Sequence, residues 1–266
     1  MADIPHVDYS VLDRPEVLSY LFHPRPEEFR APSQENKIDI LVPVEKDVVI
    51  GSTFHLSGKA DPTILFFHGN GEIVADYDDL APIYTNMSIN FFVADYRGYG
   101  RSTGQPSVTS MMGDCHIIFD YVKNWLEEND YTGHFVIMGR SMGSASALEL
   151  ATNYKEKTDG LIIESGFAYL LPLLQLMGIN VSALGISEDD GCQNLKKIAT
   201  YDKPTLVIHA EYDHIIPFSD GQALFDASGD PEKKLIKIEG ANHNDILFRG
   251  FKTYLQGIHD LVQSLS

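Results

Sequence analysis

Gly139-Arg140-Ser141-Met142-Gly143 sets a serine between glycines two residues away on either side. The motif directly follows an apolar run, His134-Phe135-Val136-Ile137-Met138, and opens a helix-length segment from Met142 to Tyr154. A strand, a sharp turn and a helix are the setting this spacing requires. The turn lifts the hydroxyl above the sheet, and the glycines let neighbouring backbone close in. The helix N-terminus favours the negative charge that grows on a substrate oxygen. The chemistry this points to is attack on a carbonyl carbon with an acyl-enzyme intermediate. A serine hydroxyl is a weak nucleophile until an imidazole takes its proton, and the imidazole needs a carboxylate to fix its tautomer.

Both partners are found downstream, in the order nucleophile, acid, histidine. Asp213 stands in His209-Ala210-Glu211-Tyr212-Asp213-His214-Ile215-Ile216-Pro217, after the apolar run Thr205–Ile208, and His243 ends Glu239-Gly240-Ala241-Asn242-His243, after Leu235–Ile238. Rivals exist for each role. His214 adjoins the proposed acid directly, so its ring is not expected to reach the serine from there. Glu164, which ends the strand after the nucleophile, and Asp245 are the other carboxylates considered.

Phe67-His68-Gly69-Asn70-Gly71-Glu72 follows another strand, Thr63–Phe67, and precedes a helical segment. From that position a backbone N–H can serve as a second oxyanion donor, so the expected donors are the N–H groups of Asn70 and Met142. Asp95-Tyr96-Arg97-Gly98-Tyr99-Gly100-Arg101-Ser102 reads mainly as scaffold, with Asp95 expected to pair with an arginine. The apolar stretch Phe167 to Met177 suggests a substrate pocket built from Phe167, Leu170, Leu173 and Leu174. No metal or cofactor is expected, because HExxH, GxGxxG and GxxxxGK are all missing.

Elements that must position these groups are legible from periodicity. Lys37–Val42 and Val48–Phe54 read as a hairpin. Short apolar runs at Thr63–Phe67, Asn90–Ala94, His134–Met138, Gly160–Ile163, Thr205–Ile208 and Leu235–Ile238 then alternate with helical segments near Ile73–Met87, Val108–Asn129, Met142–Tyr154, Ser219–Ala227 and Ile246–Leu265. That alternation predicts an α/β fold with a mostly parallel central sheet and helices on both faces. Residues 1–35, proline-rich and helical at Pro15 to Phe22, are expected as an arm on the surface of one domain spanning 36–266. About 166–201 is longer than a plain crossover needs and reads either as an amphipathic helix on the sheet or as a small lid.

Composition narrows the function classes. The net charge is −18, from 20 basic and 38 acidic side chains, which argues against nucleic acid and against anionic lipid as partners. No run reaches the roughly 20 apolar residues of a membrane span. Met1-Ala2-Asp3-Ile4-Pro5-His6 lacks the basic start of a signal peptide, and Cys115 and Cys192 are far apart, so a cytoplasmic protein with reduced thiols is expected. The oligomeric state is not legible.

Taken in order, HGNGE at 68–72, DYRGYGRS at 95–102, GRSMG at 139–143, HAEYDHIIP at 209–217 and GANH at 240–243 resemble the α/β-hydrolase superfamily over about residues 37 to 265. More narrowly, the chain is similar to a compact serine-hydrolase branch holding uncharacterised bacterial esterases and some eukaryotic protein depalmitoylases. The resemblance implies Ser141, Asp213 and His243 as a triad that hydrolyses a small ester, thioester or amide through an acyl-enzyme, a carboxylesterase first of all. It departs from the depalmitoylases in having no N-terminal cysteine cluster, so membrane targeting is not expected. The reading of another class is a binding module that keeps the pocket and turns its ligand over slowly.

Overall fold

Burial along each strand follows its place in the sheet. A computed structural model describes residues 8–28 and 36–265. Residues 1–7 and 29–35 of the expected arm lie outside the described residues, Pro5 and Pro32 among them. The chain divides into two compact units, one running to Phe135 and one from Val136 onward.

The first unit contains α1 (Pro15–Leu21), β1 (Lys37–Glu45), β2 (Val48–His55), β3 (Thr63–Phe67), α2 (Ala81–Asn86), β4 (Asn90–Ala94) and α3 (Val108–Glu128). β1 and β2 form the expected antiparallel hairpin, β2 also pairs antiparallel with β4, and β3 pairs parallel with β4. β3 and β4 are buried at every position, as continuous apolar runs must be when both faces are covered, whereas β1 buries Ile40, Val42 and Val44 in alternation. The single helix expected near Ile73–Met87 is broken into a 3₁₀ turn at Val74–Tyr77 and α2. Pro82, near the start of α2, has no N–H to continue a ladder from the preceding turn. α1 is tied down by its flanks: Asp13 accepts the Val108 N–H at 2.7 Å, and the Asn70 amide donates to the Leu21 carbonyl at 2.8 Å.

The second unit contains β5 (Phe135–Arg140), α4 (Gly143–Asn153), β6 (Gly160–Glu164), α5 (Leu170–Leu176), α6 (Val181–Leu184), α7 (Asn194–Thr200), β7 (Thr205–Ala210), α8 (Phe218–Ala227), β8 (Lys234–Ile238) and α9 (Ile246–Ser264). β5, β6, β7 and β8 pair in that order, all parallel. Parallel strands point the same way, so the loops after β5, β7 and β8 emerge along one edge. Those loops carry Ser141, Asp213 and His243. α9 lies close against β8 because Gly250 and Gly257 present no side chain: a Cβ there would meet Ile238 and Ile236. The long connection between β6 and β7 holds three short helices and a 3₁₀ turn at Glu188–Asp190. Cys115 and Cys192 are buried and form no disulfide, and the Cys115 thiol donates to the Met112 carbonyl at 3.1 Å. Among the described residues no helix is long and apolar enough to cross a membrane.

Candidate active site

Ser141 follows the last residue of β5 with φ at +52°, a left-handed backbone that costs a non-glycine residue on the order of 1–3 kcal/mol. Its surroundings hold it there. The Ser141 N–H donates to the Glu164 carbonyl at 2.9 Å, and the Ser144 hydroxyl donates to the Ser141 carbonyl at 2.6 Å. Gly139 has to be glycine, since a Cβ would collide with the Gly143 carbonyl. The turn therefore closes at van der Waals contact.

His243 brings its Nε2 to 3.0 Å from Ser141 Oγ, while its Nδ1 lies 2.7 Å from Asp213 Oδ2. All three residues are buried, at 8% exposure or less. With a carboxylate facing Nδ1, the proton of the neutral ring resides on Nδ1 and the Nε2 lone pair faces the hydroxyl. Asp213 Oδ1 accepts the N–H groups of Ile215 at 3.0 Å and Ile216 at 2.8 Å. Burial works against the charge of Asp213, but the His243 hydrogen bond and these two N–H groups outweigh it and hold its carboxyl below the usual range.

The rivals are placed elsewhere. His214 is exposed. Glu164 meets Arg140 Nε at 3.1 Å and accepts the Tyr254 hydroxyl at 2.6 Å. Asp245 pairs with Arg249 at 3.0 Å and accepts the Asn242 N–H at 2.6 Å. Of the expected oxyanion donors, Met142 caps the N-terminus of α4. Asn70 belongs to the first unit, where its side-chain oxygen accepts the His23 N–H at 3.0 Å and the Tyr99 hydroxyl at 2.6 Å.

One scaffold expectation is corrected. Asp95 pairs not with an arginine but with His68, whose Nε2 lies 3.1 Å from Asp95 Oδ1, and the same oxygen accepts the Val74 N–H at 2.9 Å. Burial opposes a charge on His68, yet Asp95 and the Gly69 carbonyl outweigh it and raise its pKa. The arginines have other carboxylates: Arg97 forks onto Asp114 at 2.7 and 2.8 Å, and Arg101 reaches Asp39 at 2.8 Å. Residue type predicted an ion pair at Asp95, and side-chain direction chose its partner.

Beside Asp213 opens a pocket of about 270 Å3, lined by Phe167, Tyr169, Leu173, Leu176, Ile215 and Ile216 among others. Phe167 and Leu173 belong to it, but Leu170 and Leu174 do not. Those two stand one helical turn apart on the inner face of α5 and are buried, Leu170 facing Gly191. The N-terminus of α5 is held by Glu188, which accepts the Leu170 and Leu171 N–H groups at 2.5 and 3.0 Å. The loop before it is held by Asp220, which accepts the Ala168 N–H at 2.8 Å.

The sequence reading assigns no role to His209, which is fully buried four residues before Asp213. Its Nε2 lies 2.8 Å from the Ile216 carbonyl and 3.6 Å from Asp213 Oδ2. Burial lowers its pKa, so the neutral ring donates from Nε2 and closes the turn that carries Asp213. A histidine at i−4 of the candidate acid was the available signal.

A serine elbow with a buried imidazole and carboxylate, on the strand-end loops of a parallel sheet, defines an α/β-hydrolase arrangement. Known proteins agree with that class, and the chain belongs to the α/β-hydrolase family. Residues 58–184 match the family model described as serine aminopeptidase, S33. The chain is 30% identical over 217 residues to human alpha/beta hydrolase domain-containing protein 17B, covering 77% of this chain and 68% of that protein. It is 28% identical over 199 residues to protein bem46 of Schizosaccharomyces pombe, covering 71% and 64% respectively. Among solved structures it resembles the Pyrococcus furiosus esterase Pf2001 with a TM-score of 0.71 at 15% identity, over 92% of this chain and 100% of the other. At that identity the likeness establishes the fold.

Proposed function

We propose that this protein is a serine-dependent acyl hydrolase that cleaves small carboxylic esters. The reading rests on one observation, the chain of contacts from Ser141 Oγ through His243 to Asp213 at 3.0 and 2.7 Å. Ser141 Oγ attacks the carbonyl carbon while His243 Nε2 takes its proton, and Asp213 stabilises the imidazolium. The Met142 N–H, at the helix N-terminus, supports the oxyanion, and Asn70 keeps its motif-implied place as the second donor. Collapse of the tetrahedral intermediate expels the alcohol, protonated by His243. Water then gives a proton to His243 and attacks the acyl-enzyme, and His243 returns that proton to Ser141 Oγ as the acid leaves.

A fluorophosphonate probe tests this directly. The expected result is labelling of the wild type and none of Ser141→Ala. Labelling of neither protein favours a binding module. Thioester and amide cleavage use the same acyl-enzyme, and the name of the matching family model brings in the amide case. Parallel assays on a p-nitrophenyl ester, an acyl-thioester and an aminoacyl-p-nitroanilide separate the three by leaving group, with the ester expected fastest.

The pocket beside Asp213 is assigned to the acyl chain, and the lid reading of 166–201 belongs to the same proposal. Leu173→Trp fills that pocket, so the preference for p-nitrophenyl octanoate over acetate is expected to fall about tenfold, the scale on which apolar pockets discriminate. An unchanged chain-length profile would remove Leu173 from substrate recognition.

A further inference from the structure

Arg140, the residue before the nucleophile, is drawn into a buried network that the triad does not use. Its guanidinium donates from Nη2 to the backbone carbonyl of His243 at 2.8 Å, and its Nε lies 3.1 Å from Glu164 Oε1. The other carboxylate oxygen of Glu164 accepts the Tyr254 hydroxyl at 2.6 Å. Both charged side chains are nearly enclosed, with 11% of Arg140 and 5% of Glu164 exposed. Arg140 and Glu164 are register partners across β5 and β6, so the pair is fixed by the sheet itself. Tyr254 reaches it because Gly250 and Gly257, on the same face of α9, let the helix approach β8.

The circuit closes on the active residues from both sides. Glu164 holds the Ser141 N–H with its carbonyl and Arg140 with its carboxylate. Arg140, covalently joined to Ser141, then holds His243 by its main chain. The His243 loop is organised in part by its own short-range bonds: Gly240 turns at φ +71°, Asp245 accepts the Asn242 N–H, and Asn242 accepts the Asn244 N–H. From the loop after β7, the Tyr212 N–H donates to the Ala241 carbonyl at 2.8 Å, Glu211 accepts the Gly240 N–H at 2.9 Å, and Asp213 holds the His243 ring.

We infer that Arg140, braced by Glu164 and Tyr254, is a positioning residue that sets the placement of His243 against Ser141. The inference rests on the serine-hydrolase reading above. A planar fork is needed, because one edge must meet the carboxylate while another nitrogen meets the carbonyl; a lysine ammonium serves one of them well but not both.

The test compares Arg140→Met, Arg140→Lys, Glu164→Gln and Tyr254→Phe in the full chain, by p-nitrophenyl acetate kinetics across pH and by amide hydrogen exchange of residues 239–245. Arg140→Met is expected to lower kcat about 100-fold, the scale of a misplaced catalytic group, while KM changes little and exchange in 239–245 rises. Arg140→Lys recovers only part of that loss. Adding Tyr254→Phe to Arg140→Met costs nothing further, because both act through one network.

A charge readout separates positioning from simple packing. His243 is faced by Asp213 from the β7 loop, by Arg140 from the elbow, by Glu164 behind Arg140, by His209 beyond Asp213, and by Asp245, paired to Arg249, in its own loop. Arg140→Met removes a cation near His243 and keeps the Glu164 carboxylate, so the acidic limb of kcat/KM moves to higher pH. Glu164→Gln keeps the shape but removes an anion beside the guanidinium, and the limb moves to lower pH. Coincidence of Arg140→Met with wild type in kcat, limb and exchange overturns the inference. If Arg140→Met does not fold, an unshifted limb in Glu164→Gln overturns it instead. A wild type inert to the fluorophosphonate and to every ester sinks the hydrolase reading, while the exchange comparison still decides whether Arg140 orders the loop.

Discussion

Ser141→Ala is expected to lower kcat on a p-nitrophenyl ester by about 100,000-fold or more, measured by long incubation of protein free of contaminating esterase. The size follows from removing the atom that forms the covalent intermediate, which leaves His243 and Asp213 with no oxygen to deprotonate. The fold should not suffer, because the hydroxyl makes one bond, to His243, while the backbone bonds of the elbow remain. Substitution also reads out the backbone strain. Ser141 sits at φ +52°, so Ser141→Gly is expected to lose as much activity as Ser141→Ala yet unfold at a higher temperature, by about 1 kcal/mol of relieved strain. A loss below tenfold in Ser141→Ala would end the acyl-enzyme proposal.

Asp213→Asn is expected to cost about 10,000-fold in kcat with KM little changed, because it installs the wrong tautomer. The geometry gives the reason. Asp213 uses Oδ1 for the Ile215 and Ile216 N–H groups and Oδ2 for His243 Nδ1. Asparagine has one oxygen, and the two turn donors claim it. Its NH2 must then face His243 Nδ1, which becomes an acceptor, and the ring proton moves to Nε2, where it blocks proton transfer from Ser141. Nitrogen-detected NMR of the imidazole reports the tautomer, and an unchanged Nδ1–H form with full activity would refute the assignment of the acid.

The same carboxylate ties stability to pH. Its pKa in the folded protein lies below the ordinary value, since the His243 bond and the turn N–H groups outweigh burial. Such a group contributes stability that is fully present above the unfolded-chain value of about 4 and is lost as pH falls through the lower folded value. Thermal unfolding of wild type between pH 6 and pH 3 should therefore lose more than that of Asp213→Asn. Equal losses would place the acid sensitivity in another carboxylate whose folded pKa is lowered, such as Asp245, held down by the Asn242 N–H and Arg249; Asp220, raised by burial, works in the opposite sense.

Strand positions and the strand–turn–helix around Ser141 are readable in the amino acids because each depends on neighbours a few residues away, and Asp213 and His243 because each closely follows such a strand. Apolar runs such as Thr63–Phe67 and Gly160–Ile163 announce buried strands through composition alone. The reading broke down wherever the answer depended on the direction a side chain takes. Glu164 and Asp213 both end or follow strands at the same sheet edge, and only the fold turned one toward Arg140 and Tyr254 and the other toward His243. Leu173 and Leu174 are adjacent in one apolar stretch, yet a helix sends them to different faces, so one lines the pocket and one is core. Asp95 had two arginines close in sequence and took a histidine 27 residues away. Local spacing writes elements and motifs into the chain, whereas partners among buried polar groups are chosen by packing, which must satisfy every charge it encloses.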